Sequence, residues 1–229
     1  MNVTIGEKKT FDDWRLKLRS LVIGFPEAKT NTVDVPGADG LLDLSEALGA
    51  VRYGNRELEM IFDVMGEPER WHSLTSQIAN YLHGQRLKVI LDSDPGYYYI
   101  GRLALESEKS DYLTNQITIL GDMDPYKYEL LSSLDDWLWD TLDFETGIIR
   151  EYKELEVNGS RTVTIPGTRK EIIPTIIASA AMQVEWKGTR YDVPAGESKL
   201  YAISLVEGEN ILIFYGNGTV SIDYRGGIL

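Results

Sequence analysis

Between Arg56 and Val64 the chain alternates. Leu58, Met60, Phe62 and Val64 share one parity, Glu57, Glu59 and Asp63 share the other, and only Ile61 breaks the pattern. A period of two puts successive side chains on opposite faces of an extended strand, one row against a core and the other in water. The turn Tyr53-Gly54-Asn55 leads into this strand, since Gly and Asn tolerate positive φ. A second tight loop, Pro36-Gly37-Ala38-Asp39-Gly40, stands before a short apolar segment at 41–48. Residues 33–64 are therefore the stretch around which the rest is organised.

The neighbouring sequence mostly carries the same period. Trp14, Leu16 and Leu18 alternate with Arg15, Lys17 and Arg19, which predicts an edge-like strand with its cations outward. Asp12 and Asp13 before it read as a solvated turn. One helix is predicted over 68–83. Pro68 suits its first position, Glu67 and Glu69 its positive end, and Gly84 its termination. Trp71, Leu74, Ile78 and Leu82 fall on one face at three- and four-residue spacing, the mark of a packing helix. Burying each contributes roughly 1.5 to 3 kcal/mol before entropy is subtracted. His72 and His83 share that helix, but eleven positions at 1.5 Å each set them ~16 Å apart, too far for one metal ion.

A hairpin follows, with strands at 87–91 and 97–105 around Asp92-Ser93-Asp94-Pro95-Gly96. That loop shares the opening Asp-x-Asp of a calcium site but lacks the later ligands, so turn chemistry accounts for it. In a strand Tyr97 and Tyr99 face opposite to Tyr98, which rules out a flat three-ring platform. A further strand is expected at 112–120. The segment 132–144 reads as a connector, either a short helix or an extended arm. As a strand it would put Trp137 and Trp139 on one face; as a helix it would splay them. From 147 onward, apolar runs at 163–165, 172–177, 182–186, 201–205, 211–215 and 220–224 are separated by turns such as Asn158-Gly159, Lys187-Gly188 and Gly216-Asn217-Gly218. Many short strands with regular turns predict a β-sandwich.

Composition then removes whole classes of function. The 229 residues contain no cysteine, so a disulfide framework, a thiolate metal site and a cysteine nucleophile are excluded. A formal charge of -13 argues against a nucleic-acid-binding surface. No apolar run approaches the ~18 to 20 residues that span a membrane. The N-terminus lacks a signal-peptide core, so classical secretion is not expected. Dinucleotide, Walker, nucleophile-elbow and zincin motifs are all missing, and two histidines on a packing helix leave a serine triad few bases. A glycosidase needs only two carboxylates, which an acidic chain cannot exclude. The expectation is nevertheless a non-enzyme without cofactor or metal.

Several motifs occur in a telling order. Pro36-Gly37-x-Asp39-Gly40-x-Leu42-Asp43 and Tyr53-Gly54-Asn55-Arg56 precede the packing helix. Tyr98-Tyr99-Ile100-Gly101-Arg102, Asp124-Pro125-Tyr126-Lys127, Gly208-x-Asn210-x-Leu212 and the ending Asp223-Tyr224-Arg225-Gly226-Gly227 come after it. This succession resembles the distal tail (Dit) proteins of siphophages over nearly the whole chain. The resemblance implies a mainly β protein with one packing helix. Its expected parts are a β-sandwich-like ring-forming domain over 1–130, a connector over 131–146, and a galectin-like or carbohydrate-module-like β-sandwich over 147–229. It also implies a structural role in a virion or prophage tail, after assembly in the bacterial cytoplasm. There a homohexameric ring would join the tail-tube protein to a tail-associated lysin or baseplate hub protein and let DNA pass.

A closed heterologous ring needs two different complementary patches on each subunit. The candidates are Val35, Asp39, Leu42, Tyr53, Asn55 and Arg56 from the first loops, and Asp92, Asp94, Tyr97 and Tyr99 from the acidic hairpin. The alternative from another class is a carbohydrate-binding module for cell-wall glycans, in which Trp186 or Tyr191 would stack on a sugar ring.

Overall fold

The computed structural model describes residues 2–47, 49–111, 114–135 and 151–229, which fall into two units. The first comprises residues 1–94 and 98–127 with Leu229; the second comprises 95–97 and 128–228. The connector tryptophans Trp137 and Trp139 lie outside the described residues.

The first unit opens with β1 (Val3–Ile5), β2 (Lys8–Lys9) and a five-residue helix α1 (Thr10–Trp14). This corrects the expected strand through Trp14. Arg15 adopts a left-handed conformation at φ 54° and ends the helix, so Trp14 turns into the core from a helical turn. Asp13 caps the same turn, accepting the Lys9 N–H at 2.8 Å and pairing with Lys8 at 3.1 Å. The Lys9 N–H and then Lys8 hold its carboxyl below the usual carboxylate range.

Next come β3 (Leu16–Ile23), the short strands β4 (Thr32–Asp34) and β5 (Leu41–Asp43), and then β6 (Arg56–Val64). In β6 the even-numbered residues from Arg56 to Val64 are all buried, while the row containing Glu57, Ile61 and Asp63 is not. The predicted helix begins as a 3-10 turn at Pro68–Arg70 and continues as α2 (Trp71–Leu82). Trp71, Ile78 and Leu82 are buried, Leu74 packs partly, and Thr75 joins them by donating its hydroxyl to the Trp71 carbonyl. The hairpin is β7 (Arg86–Leu91) and β8 (Tyr97–Ser110), followed by β9 (Asn115–Met123).

Seven strands pair in the order β2-β1-β7-β8-β9-β6-β3. Side chains from β1 and β3, near opposite ends of this path, meet α2 in one cluster with Phe62, Met60, Leu103 and Ile119. Sharing one core requires the sheet to curl, which its twist and two bulges supply, in β3 between Leu18 and Ser20 and in β8 between Leu105 and Ser107. Gly101 permits a close approach of β8 to β9, because a Cβ there would stand 2.2 Å from the Asp122 carbonyl.

β10 (Lys127–Glu129) begins at the last residue of the 98–127 segment, and the second unit contains β11 (Leu155–Gly167), β12 (Thr175–Ala178), β13 (Met182–Trp186), β14 (Thr189–Val193), β15 (Gly196–Lys199), β16 (Gly208–Asp223) and β17 (Gly227–Ile228). Two predicted turns are not turns here. Asn158-Gly159 and Gly216-Asn217-Gly218 lie across from one another inside a continuous β11–β16 ladder. Gly216 and Gly218 have φ of 144° and 141°, and Asn217 accepts the Gly159 N–H at 3.0 Å. The result is one sixteen-residue strand that bends instead of two strands. Before the bend it pairs with β13, and after it with β12. The run at 201–205 is a turn with Ile203 and Leu205 buried, while β14 and β15 form where no apolar run was expected. The core gathers Phe214, Leu212, Val220, Ile222, Ile176, Val184 and Trp186.

Candidate functional site

Every residue from 27 to 44 is exposed, and within that span β4 pairs with β5 as a ribbon of its own. Its register sets Val33 opposite Leu42, Thr32 opposite Asp43, and Asp34 opposite Leu41. Paired residues share a face and successive ones alternate. Val33 and Leu42 therefore point one way, with Val35 on the same parity, while Thr32, Asp34 and Asp43 point the other together with Leu41. The ribbon is amphipathic, yet its apolar row is open: Val33 is 43 %, Val35 40 % and Leu42 52 % exposed. Phe25, just before it, is 84 % exposed.

A two-stranded ribbon alone is marginal in water. Local polar contacts hold this one in shape. Asp43 accepts both the hydroxyl and the N–H of Ser45, and these bonds keep its carboxyl below the usual range. The Ser45 hydroxyl also accepts the Asn31 N–H at 2.8 Å. The turn Pro36–Gly40 needs its glycines, since Gly37 and Gly40 have φ of 87° and 76°. Asp39 sits exposed at this tip. Val35, Asp39 and Leu42 thus lie on one protruding element.

The other candidates divide. Tyr53 is half-buried and meets Tyr126 edge-on at 6.0 Å, and Asn55 is exposed and donates to Asp122 at 2.8 Å. Arg56 does not belong with them. It is buried, its guanidinium lies 5.5 Å from the centre of the Tyr99 ring, and Tyr99 is buried with it. These two are corrected from surface contacts to core residues, because the β6 parity that buries Leu58 carries Arg56 inward as well. Burial lowers the Arg56 pKa from its ordinary value, and Tyr99 opposes that shift. Its Nε and Nη2 find no acceptor among the described residues.

In the acidic hairpin, Asp92 is exposed and accepts the Asn2 N–H at 3.0 Å, while Asp94 pairs with Lys127. These are turn and ion-pair roles, and no group of three or more potential metal ligands occurs among the described residues. Tyr97 is half-buried. Trp186 is in the second core with Lys187 Nζ 5.1 Å from its ring centre, and Tyr191 packs against the same core. Trp186 is buried and so presents no open ring face for sugar stacking, while Tyr191 is half-buried. Val33 opens the stretch 33–55 from which the loop candidates come, whereas Phe25, beside Pro26, lies outside it.

No family model matches this sequence, and no characterised protein matches it by sequence. In three dimensions the chain is similar to the crystal structure of the SPP1 Dit (gp 19.1) protein, which is described as a paradigm of the hub adsorption apparatus in phages that infect Gram-positive bacteria. The likeness covers 100 % of this chain and 99 % of that one, with a TM-score of 0.64 and 13 % identity. The likeness is one of fold, and it runs through both units.

Proposed function

We propose that this chain is a structural protein of a phage or prophage tail hub, and that it works as a homohexameric ring. The observation that carries the reading is the open apolar row of the β4–β5 ribbon, on a chain that shares a hub protein's fold from end to end. An amphipathic ribbon with nothing over its apolar side is half of a contact. Its fixed shape and protruding position suit a clasp onto the next copy, with Val33, Val35 and Leu42 as the buried row. Repeating one heterologous contact around an axis closes a ring. In this reading the tail-tube protein meets one face of the ring and a tail-associated lysin or baseplate hub protein the other. DNA passes through a lumen whose acidity keeps phosphate from adhering. The site of action is the tail tip of the virion.

Mass determination across a concentration series, with images of the particles formed, tests this. A species of six chains that grows with concentration is expected. The double substitution Val33→Asp and Leu42→Asp should remove it while leaving the monomer folded. Association that is unchanged in this variant, or a chain that stays monomeric at the highest soluble concentration, would count against the ribbon as the clasp.

A further inference from the structure

In the second unit β16 is paired unevenly. Against β11 its ladder runs from Gly208 to Val220, whereas against β13 it covers only Leu212 to Tyr215. Glu209, Asn210 and Ile211 lie beyond the end of β13, where the chain leaves through the Lys187-Gly188 turn. One edge of the strand is therefore without a ladder partner among the described residues. A groove of about 350 Å³ opens at this notch, with Val206 and Ile211 at its surface, 39 % and 51 % exposed.

The edge is held rigid from behind. The Asn210 amide is spent on its own strand and loop, its oxygen accepting the Val206 N–H and its nitrogen donating to the carbonyls of Ile165, Val206 and Gly208. Parity then sorts the remaining groups. Trp186 is turned to the core, while Glu185, Glu209 and Ile211 are on the solvent side. The Glu185 carboxylate is held by Arg190 Nε at 3.2 Å and the Tyr215 hydroxyl at 3.1 Å. Glu209 has no ion pair among the described residues, and Lys187, the cation of the groove, is folded over the Trp186 ring.

We propose that this notch receives an extended segment of a different protein, which adds as a strand to the bare edge of β16. Its inner side chains would be apolar, against Val206 and the rim of Trp186, and its outer ones basic, beside Glu209. Main-chain hydrogen bonds supply affinity in strand addition and alternate side chains supply specificity. A second copy of this chain is the competing occupant, and self-association that Ile211→Lys abolishes would reveal it. A sugar fits less well because Lys187 covers the aromatic face and the Asn210 amide is already committed. The inference stands apart from the tail-hub reading, since it uses neither the ribbon nor a ring.

The probe is a labelled, end-blocked hexapeptide of alternating lysine and valine, titrated against the full-length chain by fluorescence anisotropy. Saturable binding is expected, weakened by about tenfold or more when alternate backbone nitrogens are methylated or when glutamate replaces lysine. Ile211→Lys and Glu209→Lys should each cause a similar loss with the unfolding midpoint unchanged. Glu209 is on the exposed rim, so its replacement keeps the test open should Ile211→Lys fail to fold. Four results would overturn the proposal: no saturable binding, equal binding of the methylated peptide, binding retained in both variants, or self-association of the free chain that Ile211→Lys abolishes.

Discussion

The β4–β5 and β11–β16 ribbons are built on the same alternation and end in opposite states. The longer one pairs over thirteen positions, and its inward residues Val157, Val163, Ile165, Leu212, Phe214 and Val220 are all buried. The shorter pairs over three positions, and the residues of its apolar row, Val33 and Leu42, stay in water. The apolar pattern is similar; what differs is whether the same chain also supplies a cover. Where it does, the ribbon is core. Where it does not, the apolar row stays open to solvent.

Truncation should separate the two most sharply. Phe214→Ala removes a fully buried ring and should cost about 3–5 kcal/mol. Leu42→Ala, in dilute monomer, should change stability by no more than about 0.5 kcal/mol. Denaturant unfolding of both variants checks this, and equal losses would mean that the short ribbon is covered after all. Next in size, Gly167→Ala at the end of the long ribbon would bring a Cβ to within 1.9 Å of the Val206 carbonyl. A loss of about 1–3 kcal/mol is expected from such overpacking, read from the same unfolding curves.

The smallest effect belongs to the short ribbon's own turn. The Asp43 pKa is lowered in the folded chain, so its bonds to Ser45 hold the turn fully above the ordinary carboxylate pKa. That support is lost as pH falls through the depressed folded-state value. Amide exchange at Ser45 should quicken over that acid window and lose its pH step in Asp43→Asn. The core strand β6 should show no matching change.

Much of the fold could be read in advance wherever a period was long enough to be self-consistent. β6 and the buried face of α2 are of that kind. Arg56 reads as the end of the Tyr53-Gly54-Asn55 loop, while its position in the alternation dictates the interior. Trp14 continued the parity of Leu16 and Leu18 by coincidence, and only the left-handed Arg15 breaks it. The glycines at 159, 216 and 218 illustrate a deeper limit. A hairpin turn and an interruption within a long ladder both draw on glycine's access to positive φ, and only the partner strand, more than fifty residues away, tells them apart. The ribbon's position was legible from its loops. Its openness was not, because alternation reports that a side should be covered and never by what.

One further property follows from β16. A strand that bends at 216–218 and serves neighbours on either side of the bend acts as a common spine. Both sets of flanking strands pair with the same sixteen residues, so disorder in this spine reaches both at once. The second unit should therefore lose its order in a single step, and a lesion anywhere along this spine should be felt throughout it.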